Sequence, residues 1–391
     1  MRILVATHNY PRFADDPAGA FVRRLAEATV QAGHEVRVVA PHAPGLPTRT
    51  TEHGVEVVRF RYAPASLERV AYRGDLHRAT VLSMLSLIGV PAFLTAYRRA
   101  LRRERDEFRP DVVHAHWWLP SGWLASRLAV PYLVTLHGSD VRLLDRWQWL
   151  RRAARVVFDR AAAVTTVSDF LARDVRAALP GLRTRVETAR MPLDVEHFAS
   201  GRAVKRLDPP QILYAGNLLE SKGIDVLLEA YALVLRRGVR ASLKVLGEGP
   251  YETSLHLAAQ KLGVADAVHW SHFVGQDAMP NEYGASTVAV LPTRGQAEGL
   301  GLVLAEALLA GCAVVGTRAG GIPEVVRDQV TGLIAADGDA VDLANRIELL
   351  LVDGELRERL VRDGDSFVRE LFSPGPAVQH FLRLYHAATH D

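Results

Sequence analysis

The stretch STVAVLPTRGQAEGLGLVLAEALLAGCAVVGTRAGG, residues 286–321, decides the fold class. An apolar, strand-like run (286–293) leads into a glycine-containing loop. An apolar helical run (302–311) and a second strand-like run (312–321) follow. Strand, helix and strand in one short span form a crossover unit, the building block of a parallel sheet. The loop also carries chemistry: Glu298 stands directly before Gly299-Leu300-Gly301, and Glu306 follows eight positions on.

Two acids eight residues apart on one ideal helix would lie about 12 Å apart. The Gly-x-Gly step keeps Glu298 off the helix, so each acid faces a different part of a ligand. Between them, the amides freed at a helix N-terminus and the helix dipole favour a phosphate. A nucleotide sugar matches this pattern, with its diphosphate in the middle, ribose on one side and hexose on the other.

The crossover pattern extends through the chain. Ahead of the quoted segment, 211–217, 241–249 and 267–275 read as strands, with helices near 224–236, 250–262 and 277–284; a further helix follows near 339–352. In the first half, 2–7, 35–41, 55–60, 111–116, 131–138 and 162–168 read as strands, and Phe21, Leu25, Ala28 and Ala32 recur at helical spacing between the first two. Residues 192–211 are polar and contain proline, and they read as an interdomain linker. The expected architecture is α/β, with two Rossmann-like domains facing across a cleft and ligands beyond the carboxyl ends of the strands. The domains are 1–195 for the acceptor and 196–373 for the nucleotide sugar, with 374–391 as a C-terminal helix crossing back to the first domain.

Composition narrows the class. A chain of 391 residues, about half of them apolar, can bury two cores. Cys312 is the only cysteine, which excludes an intrachain disulfide framework or a cysteine metal cluster. The start, MRILVAT, lacks the apolar region of a signal peptide, and no window is apolar for the length of a spanning helix. A cytoplasmic protein is expected. Net charge is only +3, yet residues 1–195 carry 29 basic and 19 acidic groups, against 18 and 25 in 196–391. The basic first half is expected to meet an anionic partner; it contains no recognised nucleic-acid module, so nucleic acid is not that partner.

Several motifs fall at strand ends. Gly216-Asn217-Leu218-Leu219-Glu220-Ser221-Lys222-Gly223 follows the first strand of the second half, where glycine lets the backbone approach a ligand and Lys222 can hold a phosphate. GEGP (247–250) is another strand-to-helix turn. Together with HAHW (114–117), HGSD (137–140), VSDF (167–170), GTRAGGIPEVV (316–326) and the Glu298–Glu306 pair, this order resembles the GT-B glycosyltransferases. The similarity is greatest to the retaining family 4 enzymes and covers nearly the whole chain.

The resemblance implies roles for individual residues. Glu298 would lie near the donor sugar and its reacting carbon, and Glu306 would hold the ribose. Backbone amides around Gly299, Leu300 and Gly301 would bind sugar and diphosphate, and Lys222 would grip the diphosphate. His137 would sit beside the donor sugar, and Gly19, in the loop DPAGAF, would approach the diphosphate. Glu298, His137 and Lys222 are thus the catalytic candidates; Glu306, Gly299, Leu300, Gly301, Asn217, Gly19 and Gly216 bind the donor. Two departures stand out. Asn217 replaces the family's usual arginine, with Arg294 as the candidate substitute, and the usual N-terminal double glycine is Ala18-Gly19.

The resemblance also implies a transfer with retention through front-face attack, from a nucleoside-diphosphate sugar to a glycan or lipid-linked acceptor, as in cell-envelope or exopolysaccharide synthesis. Neither a metal nor another cofactor is expected. Asp337-Gly338-Asp339 and Asp363-Gly364-Asp365 look like a metal motif but read as loops or caps. His114 and His116 lack a third ligand at suitable spacing and read as strand-end packing or acceptor contacts. Residues 65–109 combine Arg69, Arg73 and Arg78, an apolar run, and Arg98, Arg99, Arg102, Arg103 and Arg105, which suggests peripheral contact with an anionic membrane. A nucleotide-sugar 2-epimerase of the same fold and a non-catalytic sugar-nucleotide-binding subunit are the alternative readings.

Overall fold

Runs of Val, Ile, Leu and Ala that are apolar at every position form strands buried on both faces, as a parallel sheet covered by helices requires. In the computed structural model, which describes residues 1–64, 68, 71–72, 84–272 and 274–390, two such sheets form. The chain divides into two compact units, Met1–Pro192 with Pro374–Asp391, and Leu193–Ser373.

The first unit holds β1 (Arg2–Ala6), β2 (Glu35–Pro41), β3 (Arg49–Glu52), β4 (Val55–Phe60), β5 (Val112–His116), β6 (Tyr132–Leu136), β7 (Ala163–Thr166) and β8 (Val186–Thr188). Their order is β3-β4-β2-β1-β5-β6-β7-β8, parallel except for the β3–β4 pair. The strand order therefore reverses between β1 and β5. In open α/β sheets a ligand crevice lies at such a switch, beyond the strands' carboxyl ends. The loops after β1 and β5 occupy that place. The helix Pro374–His390 packs on the helix Ala20–Gln31 and on β5 and β6, so the C-terminal residues belong to this first unit.

The second unit holds β9 (Gln211–Ala215), β10 (Ser242–Leu246), β11 (Val268–Ser271), β12 (Val288–Leu291), β13 (Ala313–Thr317) and β14 (Leu333–Ala335). Their order is β11-β10-β9-β12-β13-β14, and every pair is parallel. Counted within the unit this is 3-2-1-4-5-6, the dinucleotide-binding order, with its switch between β9 and β12. The Gly216–Gly223 and Pro292–Gly301 loops leave the sheet at that switch.

One expectation is corrected. Residues 192–211 do not form a free linker: Val195–Ala199 is helical, Ser200–Ala203 is a 3-10 turn, and Phe198 is fully buried. A Cβ on Gly201 would stand 2.3 Å from the Pro280 carbonyl oxygen, and one on Gly284 would stand 2.0 Å from that of Gly201. Two glycines thus let this segment lie backbone to backbone against the helix Met279–Ala285, within the second unit. The unit boundary consequently falls at Pro192/Leu193, slightly before the expected 195/196.

Candidate functional site

In the second unit, two glycine-rich turns hold the site loops in place. The loop after β9 rests on the loop after β10: Gly216 N donates to Leu246 O and Leu218 N to Glu248 O. A Cβ on Gly247 would lie 1.9 Å from Gly216 O, and one on Gly249 would lie 2.2 Å from Leu218 O. The GEGP glycines are thus spacers for close backbone approach. The Tyr214 hydroxyl donates to Asn217 O at 2.9 Å and fixes the turn from the other side. Gly216 and Asn217 are left exposed.

The loop after β12 is tied to this one. Arg294 N donates to Ser221 O, and Gly223, with φ +67°, comes so close to the Pro292 carbonyl that a Cβ would sit 2.1 Å from its oxygen. The consequence is a side-chain contact: Lys222 Nζ lies 2.6 Å from Glu298 Oε2, and both side chains are mostly shielded. A third loop, after β13, holds Glu298 from behind. Gly320 N donates to Gly295 O and Gly321 N to Glu298 O, and Cβ atoms on Gly320 and Gly321 would stand 2.0 Å from Glu298 O and 2.2 Å from Gly299 O. The tandem glycine of GTRAGG is there so that its backbone can support the catalytic candidate.

Gly301, in the left-handed region at φ 84°, caps the helix Leu302–Leu309. Glu298, Gly299 and Leu300 therefore stand before the helix and Glu306 within it, as the Gly-x-Gly spacing predicts. Glu306 is buried, and the Tyr283 hydroxyl donates to its Oε2 at 3.0 Å. Burial first, then the carboxylate, drives the Tyr283 hydroxyl far above its ordinary pKa, so it stays a donor. Arg294 is already engaged: its Nη2 lies 2.7 Å from Asp225 Oδ2. It borders the loop that carries Lys222 but arrives as half of an ion pair.

The first unit has its own cluster. Gly19, φ +70°, caps the helix Ala20–Gln31, and a Cβ there would lie 2.2 Å from Asn9 O, so the two halves of the loop after β1 touch through glycine. Two residues on, Phe21 meets the His137 ring at a centroid distance of 4.8 Å. Trp117, held at φ 64°, packs its ring at a tilt against His137, at a centroid distance of 4.4 Å, and against His8, at 4.6 Å. His137 Nε2 lies 3.1 Å from His116 Nδ1. Burial, with smaller contributions from His114 and His8, pushes the His137 pKa well below its usual value, so the ring is neutral at physiological pH.

Asp140 organises this loop. Its Oδ1 accepts from His137 N (3.0 Å) and Gly138 N (3.1 Å), its Oδ2 accepts from Trp118 N, and its carbonyl accepts from Trp118 Nε1. The side chain is fully buried, and burial raises its pKa to about 6 against the opposing effect of those amides. His114 is structural: its ring nitrogens lie 2.7 Å from the Tyr385 and Thr135 hydroxyls, and burial lowers its pKa to about 3.

The remaining candidates are structural too. Asp339 caps the helix Ala340–Val352, Asp337 accepts from Gly295 N, and Asp365 pairs with Arg369 and Arg202. Among the described residues, no group of three His, Cys, Asp or Glu side chains could hold a metal ion.

Sequence reasoning missed Asp140, Asp225, Tyr283 and the supporting role of Gly320-Gly321. Asp140 had a signal, a short acid three residues after His137 at a strand end, where it can accept backbone amides. Tyr283 had none, since it reaches Glu306 from a helix 23 residues away.

Parallel sheets with loops leaving at their switch points, an acid and a lysine in contact, and a glycine-capped helix define a doubly wound α/β protein. Two family descriptions divide the chain between them: glycosyl transferases group 1 matches residues 197–367, and the glycosyl transferase 4-like domain matches residues 18–191. The D-inositol 3-phosphate glycosyltransferase of Geodermatophilus obscurus is 31% identical over 343 residues, 77% of this chain and 72% of that protein. The chain belongs to the group 1, family 4 glycosyltransferases and has the GT-B fold. Sucrose-phosphate synthase of Thermosynechococcus elongatus superposes with a TM-score of 0.80 over 98% of both chains at 21% identity. HepE of Anabaena, solved in complex with UDP-glucose, superposes with a TM-score of 0.71 over 99% of this chain and 100% of its own at 18% identity. At such identities the two structures establish the fold alone.

Proposed function

We propose that this glycosyltransferase takes a hexose from a nucleoside-diphosphate sugar, with retention of configuration, and hands it to a glycan or lipid-linked acceptor at the cytoplasmic face of a membrane, in envelope or exopolysaccharide synthesis. The observation that carries the reading is the Lys222–Glu298 contact beside the Gly301-capped helix. It places a cation, an acid and helix N-terminal amides at one switch point, the set that a departing diphosphate and a sugar hydroxyl require.

In the proposed step, the bond from the anomeric carbon to the diphosphate oxygen breaks with its electron pair going to the diphosphate. The acceptor oxygen bonds that carbon from the same face, and its proton passes to the leaving phosphate. Lys222 and the amides at the Gly301 cap stabilise the developing charge. Glu298 fixes the sugar, Glu306 the ribose, and neutral His137 serves as a hydrogen-bonding group rather than a cation. Because Lys222 supplies the positive charge, the reaction is proposed to be metal-independent.

The test is incubation of the purified chain with a panel of nucleotide sugars and a bacterial lipid extract, with and without EDTA, reading nucleoside diphosphate by mass spectrometry and anomeric configuration by NMR. One donor should be consumed, with an acceptor and regardless of EDTA, to give a product of retained configuration. An inverted product or loss of turnover with EDTA overturns the mechanism, and a donor epimerised without acceptor overturns the class.

A further inference from the structure

We infer that the helix Gln148–Phe158 and the residues leading into it form a docking surface for an anionic lipid bilayer. Leu150, Ala154, Val157 and Phe158 are buried against the first unit, which accounts for one face of this helix. The opposite face is basic, as a solvated helix requires, but it also carries large apolar side chains that solvation does not explain. At a period of 3.6 residues, Trp149, Arg152, Val156 and, just past the end, Arg160 fall on one outward stripe, and all four are exposed. Trp149 is 65% and Val156 51% exposed; Trp147, at the helix cap, is 46% exposed with its ring 6.5 Å from that of Trp149. Of six tryptophans in the chain, these two are the exposed ones.

The occupant follows from the chemistry of the stripe. Tryptophan favours the water–hydrocarbon boundary, and arginine beside it favours anionic headgroups. Residues 142–160 contain six arginines against two aspartates. Asp145 lies near Arg151, on the flank, which leaves Arg152 and Arg160 presented beside Trp149 and Val156. The basic helix Met84–Phe108, where membrane contact was expected, is built differently. Arg103 pairs with Glu104 and Glu107, Arg105 pairs with Asp106, and no large apolar side chain among its described residues is exposed. Arg69, Arg73 and Arg78 lie outside the described residues.

Position gives the surface a use. The chain leaves the carboxyl end of β6 at His137 and enters this helix eleven residues later, so the tryptophans stand at the sheet edge that carries the His137 loop. A bilayer held there would bring a lipid-linked acceptor to that edge. This use rests on the proposed lipid-linked acceptor; docking itself does not.

The experiment is flotation of the full chain with phosphatidylcholine vesicles, with and without phosphatidylglycerol. Binding should need the anionic lipid, fall as salt is raised, and be accompanied by quenching of tryptophan fluorescence by brominated lipid. The Trp147→Ser/Trp149→Ser variant should lose both flotation and quenching. Each of Arg152→Gln and Arg160→Gln should weaken binding about fivefold, while Arg98→Gln/Arg99→Gln should float like the wild type. Circular dichroism checks folding. Absent or salt-insensitive binding overturns the inference, as does wild-type flotation of the tryptophan variant, or loss of flotation confined to the Arg98/Arg99 variant. A wild-type dimer that the tryptophan variant alone converts to monomer, with no vesicle binding by either, assigns the face to a second copy instead. Because flotation needs no turnover, its failure and failure of the proposed transfer are separate results.

Discussion

Lys222 and Glu298 neutralise one another in a largely shielded setting, so removing either leaves the other costly. Lys222→Ala should lower stability by about 1–3 kcal/mol, the cost of an unpaired, partly buried charge, and should lower kcat by about 10²–10³-fold if the lysine stabilises the leaving diphosphate; thermal unfolding and steady-state rates read the two effects. Asp140 titrates where the chain can be studied. Burial raises its folded-state pKa from 3.8 to about 6, so the protonated form is favoured in the fold relative to the unfolded chain. The stability this contributes is fully present below about pH 4 and is lost as pH rises through about 6. Asp140→Asn should remove that component from the melting temperature measured between pH 4 and 7. It should also destabilise the fold at pH 7, because the amide offers one acceptor oxygen where the carboxylate serves three N–H groups from two.

At the scale of elements, the site is made by loops that touch backbone to backbone. Gly320, at φ +53°, has no room for a methyl group beside Glu298 O. Gly320→Ala should cost about 1–3 kcal/mol of stability, and a shift of Glu298 by about 1 Å should cost on the order of 10²-fold in kcat; far-UV circular dichroism should be unchanged. The sheets were largely legible in the sequence. β2 and β4 and the helix Ile224–Arg236 fall at their expected bounds because valine-rich strand runs and a clear helical period leave little ambiguity. β3, β8 and β14 were not read: Arg49–Glu52 is polar at an edge, and Val186–Thr188 and Leu333–Ala335 have three residues each. The placement of Glu298 before the helix and of Glu306 within it was legible through the Gly-x-Gly between them. Tyr283, Asp225 and Asp140 act through contacts set by the tertiary fold, which no local spacing encodes.

Taken whole, the molecule divides its charge as it divides its fold, with the basic excess in the first half and the acidic excess in the second. A basic unit suits an anionic lipid surface. The acidic unit nonetheless holds the proposed diphosphate site, so local groups, Lys222 and the helix N-terminal amides, must supply the positive field there. The most direct measurement is single-turnover release of nucleoside diphosphate, with donor and acceptor present, by wild type and by Glu298→Ala, with donor binding followed by calorimetry. Release by the wild type that drops at least about 10²-fold in the variant, while the variant still folds and binds the nucleotide, is the predicted result. Equal rates in the two proteins would contradict the placement of sugar transfer at the Lys222–Glu298 contact.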